Sequence, residues 1–216
     1  LLLMLPMLFF SQQMPHYSLY MLNDVVVNPS LISTKSENQI ALMVRNQWTG
    51  FEGAPKTQSI SYYIAPDTNS TQKFGKGISI INDNTGPISM ISGTLSGSYL
   101  VPIQNKNKLS IGVSANILQY KINNSDIILE NDGVIDPAMN AGVADKVMGN
   151  SASIGVNYWG DKFNVSASVI NIINSDLNLS NTGVDNALVN HYYLNSSYTF
   201  STSAGVDISP SIMFKK

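Results

Sequence analysis

Apolar and polar residues alternate with period two along most of this chain. In "KLSIGVSANI", Leu109, Ile111, Val113, Ala115 and Ile117 fall on one side, and Ser110, Gly112, Ser114 and Asn116 on the other. Such alternation is the mark of a β-strand with two unlike faces. The same grammar runs through "QIALMVRN" with Ile40, Leu42 and Val44, and through "ISGTLSGSYLV" with Ile91, Leu95, Tyr99 and Val101. It returns in "SASIGVNYW" with Ala152, Ile154, Val156 and Tyr158, and in "KFNVSASVI" with Phe163, Val165, Ala167 and Val169. Further strands are predicted near residues 56–65, 75–82, 191–200 and 204–214, which makes about nine. Beyond Gln12 no stretch keeps a 3.6-residue period for the ten or more residues a helix needs. The chain reads as all-β and antiparallel.

The connections sharpen the picture. "YWGDKF" places Gly160 and Asp161 between two strands, a two-residue hairpin signal, and "QNKNK" at 104–108 is a similarly short polar turn. Residues 121–150 and 171–190 instead read as long irregular insertions. Short turns alternating with long loops are the habit of an outer-membrane barrel.

What solvent the two faces meet decides between barrel and sandwich. Only 12% of the residues are charged, whereas 44% are hydrophobic. A soluble β-sandwich carries Lys, Glu and Arg on its outer face; here the face opposite the apolar one is Ser, Gly, Asn and Thr. A transmembrane barrel accounts for this, with the apolar face against lipid and the neutral-polar face lining a lumen. Tyr62, Tyr99, Tyr120, Tyr158, Trp159 and Tyr192 are then expected in interfacial girdles. The opening "LLLMLPMLFFSQQ" is too short to cross a bilayer but matches the apolar region of a signal peptide. Residues 1–11 are therefore read as a partial signal peptide. Residues 12–216 are read as the N-terminal and central part of a single barrel domain, an incomplete barrel because "SIMFKK" only begins a strand.

Candidate chemistry is sparse. The net charge of -2 offers no basic field for nucleic acid. Cysteine is absent, and His16 and His191 share no ligand spacing, so neither a metal site, a cofactor site nor a catalytic triad is expected. "DNTG" at 83–86 superficially resembles an aspartic-protease motif, but Asn84 stands where the aspartate would, and the stretch reads as a turn. Glu130, Asp132 and Asp136 lack EF-hand spacing and read as a solvated loop. Asn123 and Asn195 begin Asn-x-Ser sequences that follow from the abundance of Asn and Ser.

Several stretches together resemble the PorP/SprF family of type IX secretion system membrane proteins. They are "FSQQMPHYSLYMLNDVVVNPS", "RNQWTGFEGAPKTQSIS", "GKGISIINDNTGP", "YLVPIQNKNKLSIGVSANI", "HYYLNSSYTF" and "DISPSIMFK". One departure lies at Asn28, Pro29, Ser30, Leu31, Ile32 and Ser33, where the family commonly has Asn-Pro-Ala-x-Ala-Gly; it is expected at a turn. The resemblance implies a barrel in the bacterial outer membrane, in contact with its lipid, that helps secrete or anchor surface proteins such as gliding adhesins. Its implied partners are a C-terminal domain of the secreted protein and the periplasmic ring and peptidoglycan-binding components. No enzyme activity comes with it. A passive porin of the same fold is the alternative, disfavoured by the nearly uncharged inward faces.

The most specific stretch, from Arg45 through Trp48, Gly50, Glu52, Gly53 and Pro55, reads as a structural motif. The alternation that sends Ile40, Leu42 and Val44 toward lipid sends Arg45, the single arginine of the chain, inward. Facing lipid at the midplane it would cost about 2 to 4 kcal/mol. Trp48 falls at the strand end, where an indole suits the interface, and Gly50, Gly53 and Pro55 supply the turn. Pairing of Arg45 with Glu52, Asp83 or backbone carbonyls is expected. In the full-length protein, Arg45→Ala is expected to lower the amount of folded barrel in the outer membrane more than Lys56→Ala does. Equal heat-resistant protein from the two variants would reject an interior role.

Overall fold

The computed structural model describes residues 23–67, 73–103, 107–123, 146–174, 188–202 and 205–216. Antiparallel strands dominate it: β1 (Gln39–Asn46), β2 (Lys56–Ile64), β3 (Phe74–Thr85), β4 (Ile88–Pro102), β5 (Lys108–Ile122), β6 (Lys146–Trp159), β7 (Phe163–Asn174) and β8 (His191–Tyr198). After β8 come the two-residue strands β9 (Phe200–Ser201) and β10 (Asp207–Ile208), which pair with each other, and then β11 (Ser211–Lys215). The main sheet has nine strands in the order β1-β2-β3-β4-β5-β6-β7-β8-β11. Among the described residues no helix is long and apolar enough to cross a membrane. The 15 residues of β4 and β5 and the 14 of β6 exceed the roughly 9–11 that a tilted strand needs to span.

The two faces are inverted relative to a soluble protein. Ile40, Leu42 and Val44 are each about 70% exposed, and Leu95, Val113, Ile117 and Leu194 also point outward. Thr57, Ser61, Ser98, Ser110 and Asn157, by contrast, are almost wholly buried. Register explains the sorting. Every rung pairs residues that face the same way, so one face collects most of the hydroxyls and amides of the strands and the other most of their aliphatic groups. One small cavity touches Ile81 of β3, Met90 of β4, Asn116 of β5, Ser153 of β6 and Ile170 of β7 together. The sheet is thus curled with the polar face concave.

The ends of the strands differ. Tyr62, Phe74, Tyr99, Tyr158 and Tyr198 are exposed on the outer face near the short-turn end, where Phe163 stacks on Tyr158 at 5.3 Å and Phe200 on Tyr198 at 4.7 Å. These form one aromatic band. Tyr120 and Trp159 do not belong to it, because their parity turns them to the concave side, and Tyr192 stands opposite Val169, away from that rim.

Several connections also differ from the sequence reading. Residues 121–122 extend β5, 146–150 open β6 and 171–174 close β7, so the insertions are shorter than expected; 124–145 and 175–187 lie outside the described residues. Apolar residues on both faces of "KVMGN" hide its alternation. On β7 the period is broken by a bulge, with Asn171 at φ 60° between the pairs Ile154–Val169 and Ala152–Ile173. "DNTG" is not itself the turn. Asp83–Thr85 stay in β3, and the hairpin is Gly86–Pro87, with Gly86 at φ 55°. The reading of residues 1–11 as a signal segment, His16, and the acidic residues Glu130, Asp132 and Asp136 fall outside the described residues.

The sheet does not close. β1 pairs with β2 alone and β11 with β8 alone, and β1 and β11 run in the same direction. All-antiparallel closure takes an odd number of additional strands between them, consistent with the even counts of bacterial barrels. Unpaired edge groups cost several kcal/mol each in lipid. The 216-residue chain alone is therefore expected to give no heat-modifiable, protease-resistant monomer in detergent; recovery of such a species would contradict the open sheet.

Candidate functional site: a filled polar trough

The concave face is occupied by the protein's own residues 23–35. Asn28 caps a 3₁₀ helix, Pro29–Thr34, by accepting hydrogen bonds from the Ser30 backbone N–H at 3.0 Å and the Ser30 hydroxyl at 2.6 Å. Pro29 at the first helical position needs no N–H partner, so the Asn-Pro pair starts the helix economically. A shorter 3₁₀ turn, Asp24–Val26, precedes it. This segment was expected to be a turn; it is instead a buried strap, and Ser30 and Ile32 have no exposed surface.

The strap crosses the trough from β2 to β7 and back to β1. At β2, Asn23 donates to Ser61 Oγ at 3.0 Å and accepts from Tyr63 OH at 2.6 Å. At β7, Ser168 donates to the Val27 carbonyl at 2.6 Å, while Asn28 Nδ2 donates to the Ala167 carbonyl at 3.3 Å. Ser110 of β5 donates to the Ser30 carbonyl at 2.9 Å, and the Ser33 and Ser98 hydroxyls share a hydrogen bond at 2.7 Å. Lys35 closes the strap on Asp24 with an ion pair at 2.8 Å. Short hydroxyls are what this geometry needs. They reach the strap's backbone without filling the space it occupies, and each such bond is worth about 1 kcal/mol net. Val25, Leu31, Ile32 and Tyr63 add a small apolar cluster.

Glycines make the room. A Cβ on Gly112 would overlap the Ser30 nitrogen and the Pro29 carbonyl carbon, one on Gly155 would overlap the Asn28 side chain, and one on Gly75 would come within 2.7 Å of Ile32. The departures from the family pattern at positions 30 and 33 are serines that each gain a hydrogen bond here.

Toward the long-loop end the trough is closed a second time. Leu188, 2% exposed, packs on Leu118 with Tyr120 and Val147, and Asn171 holds its neighbour by donating to the Val189 carbonyl at 3.2 Å. Between Leu188 and Val26 of the strap lies a small cavity of about 40 Å³, room for a few water molecules.

Arg45 lies on the concave face opposite Thr57, which in turn stands opposite Asp83. Arg45 and Asp83 are two strands apart, about 10 Å by strand spacing, and Asp83 accepts from Thr57 Oγ1 at 2.5 Å. Arg45 makes no ion pair with Asp83 or Glu52 among the described residues. Trp48 (φ 52°), Gly50, Gly53 and Pro55 build the turn beyond β1, with Glu52 exposed. The Gly53 carbonyl accepts from the Gly86 N–H at 2.8 Å, tying this turn to the next hairpin. Among the described residues no group of three His, Asp or Glu side chains could hold a metal ion.

Gly112→Ala is expected to destabilise the membrane-extracted protein by about 1–3 kcal/mol through overpacking against the strap. Gly93→Ala, where a Cβ meets nothing within 4 Å, serves as the neutral comparison. Equal thermal midpoints for the two variants would show that the strap yields freely.

The family described as "Type IX secretion system membrane protein PorP/SprF" matches residues 9–216. No curated protein and no solved structure matches the chain. The family match covers nearly all of it, including the strap, the Arg45–Pro55 stretch and every strand of the main sheet. The inverted antiparallel sheet is the fold such a membrane protein requires, and the chain belongs to the PorP/SprF family of type IX secretion system membrane proteins.

Proposed function

We propose that this protein is an outer-membrane β-barrel component of the type IX secretion system that helps secrete or anchor a surface protein, such as a gliding adhesin, without conducting solutes. The observation that carries this reading is the filled trough. A strap hydrogen-bonded from β2 to β7, and Leu188 packed beyond it, fill much of the trough where a porin keeps a wide polar channel. A barrel closed to solutes offers its partners surfaces, not passage. Natural partners are the C-terminal domain of the secreted protein on one side and the periplasmic ring and peptidoglycan-binding components on the other. The sparse chemistry of the concave face, hydroxyls and amides with few titratable groups, suits a binding and anchoring part better than an enzyme.

The protein extracted from outer membranes is expected to co-purify with the C-terminal domain of a surface protein encoded nearby, and its deletion is expected to release or trap that protein. In planar bilayers it is expected to show no large, steady open channel. Such a channel, with no captured partner, would favour the porin instead.

A further inference from the structure

The outer face ends, on the long-loop side, in a continuous polar rung. Asn46 stands opposite Lys56, Lys56 opposite Asn84, Asn84 opposite Ser89, Ser89 opposite Lys121, and Lys121 opposite Lys146. These positions share parity with Val44, Ile60, Ile80, Ile91, Ile117 and Met148, so their side chains emerge on the side that meets lipid. Three of the six are lysines, all exposed, and none is acidic. Among the described residues none of the three is in an ion pair, and Glu52 in the turn above makes none with Lys56.

Two features of this rung point to an anion. Lys121 and Lys146 are directly opposed, an arrangement that destabilises a sheet unless a negative group sits between them. Below them the outer face carries an apolar groove whose floor is Gly93 and whose walls are Ile80, Ile91, Leu95, Ile117 and Met148. A molecule with a negative head and a hydrocarbon tail satisfies both at once. The other rim is different: Asp67, Lys73, Asp161 and Lys162 mix signs there, and its outer face carries the aromatic band with Lys76 beside it and no opposed lysine pair.

We propose that Lys56, Lys121 and Lys146 bind the phosphate groups of anionic lipids in the leaflet on the long-loop side. One phosphate is shared by Lys121 and Lys146, with an acyl chain along the Gly93 groove. The ammonium groups supply charge-assisted hydrogen bonds at the level of the headgroups, and the apolar rows beneath fix the depth of the sheet. This inference rests on the membrane-facing outer surface alone and stands apart from the choice of secreted partner.

The test uses the membrane-extracted protein in nanodiscs of phosphatidylcholine doped with phosphatidylglycerol, with retained lipid counted by native mass spectrometry. Lys56→Gln, Lys121→Gln and Lys146→Gln combined are expected to lower retained phosphatidylglycerol by at least about fivefold, the three Lys→Arg changes to preserve it, and Lys162→Gln on the opposite rim to leave it unchanged. Should the combined variant fail to fold by its heat shift in detergent, Lys146→Gln alone is expected to move retention the same way. Equal retention in the Gln variants, an equal loss from Lys162→Gln, or displacement of the lipid by inorganic phosphate would each overturn the proposal, the last by assigning the site to free phosphate.

Discussion

The structure depends on filling a polar concave face with the chain's own hydrogen-bonding groups. A curled sheet whose inner residues are serines, threonines and asparagines has no hydrophobic driving force to collapse on itself, and its hydroxyls need partners once they leave solvent. Residues 23–35 supply partners for Ser61, Tyr63, Ser98, Ser110 and Ser168. Their backbone carbonyls and the amides of Asn23 and Asn28 meet hydroxyls or carbonyls on β2, β5 and β7, and the glycines at 75, 112 and 155 keep the approach close. Burial by the strap is bought largely with hydrogen bonds; apolar packing is gathered in two small clusters, Val25, Leu31, Ile32 and Tyr63 at the strap and Leu118 with Leu188 beyond it.

The outer face answers to the opposite rule. Lipid stabilises exposed Ile, Leu and Val, and the chain places polar residues there mainly at its margins. The two margins are built differently, mainly aromatic at the short turns and with a run of lysines and amides at the long loops, which gives the sheet a direction relative to the membrane. A concave face occupied by the chain's own strap, an oriented exterior and two unpaired edges suit a part whose work is done through its surfaces and neighbours. Family membership places that work in type IX secretion.

Much of this was legible in the chain because β-structure writes itself in period two. All nine main strands, the inversion of the faces and the inward direction of Arg45 follow from alternation combined with scarce charge. The misplaced features are those where alternation carries no information. Val147 and Met148 put apolar groups on both faces, the bulge at Asn171 resets the parity of β7, and Tyr120 and Trp159 are aromatic at inward positions. Asn28 and Pro29 did signal a helix start, but a single turn of 3₁₀ helix has no period to confirm it.

By itself, then, the sequence determined which residues could face lipid, since the pleat ties side-chain direction to position along the strand. Only the tertiary structure decided what the other face meets. The partners of Ser110 and Ser168 lie 80 and 141 residues away along the chain. No local pattern records that a strap near the start of the protein will lie across six strands, because the contact exists only once the sheet has curled around it. The same holds for Arg45 and Asp83, whose spacing across β2 is set by register and leaves them about 10 Å apart.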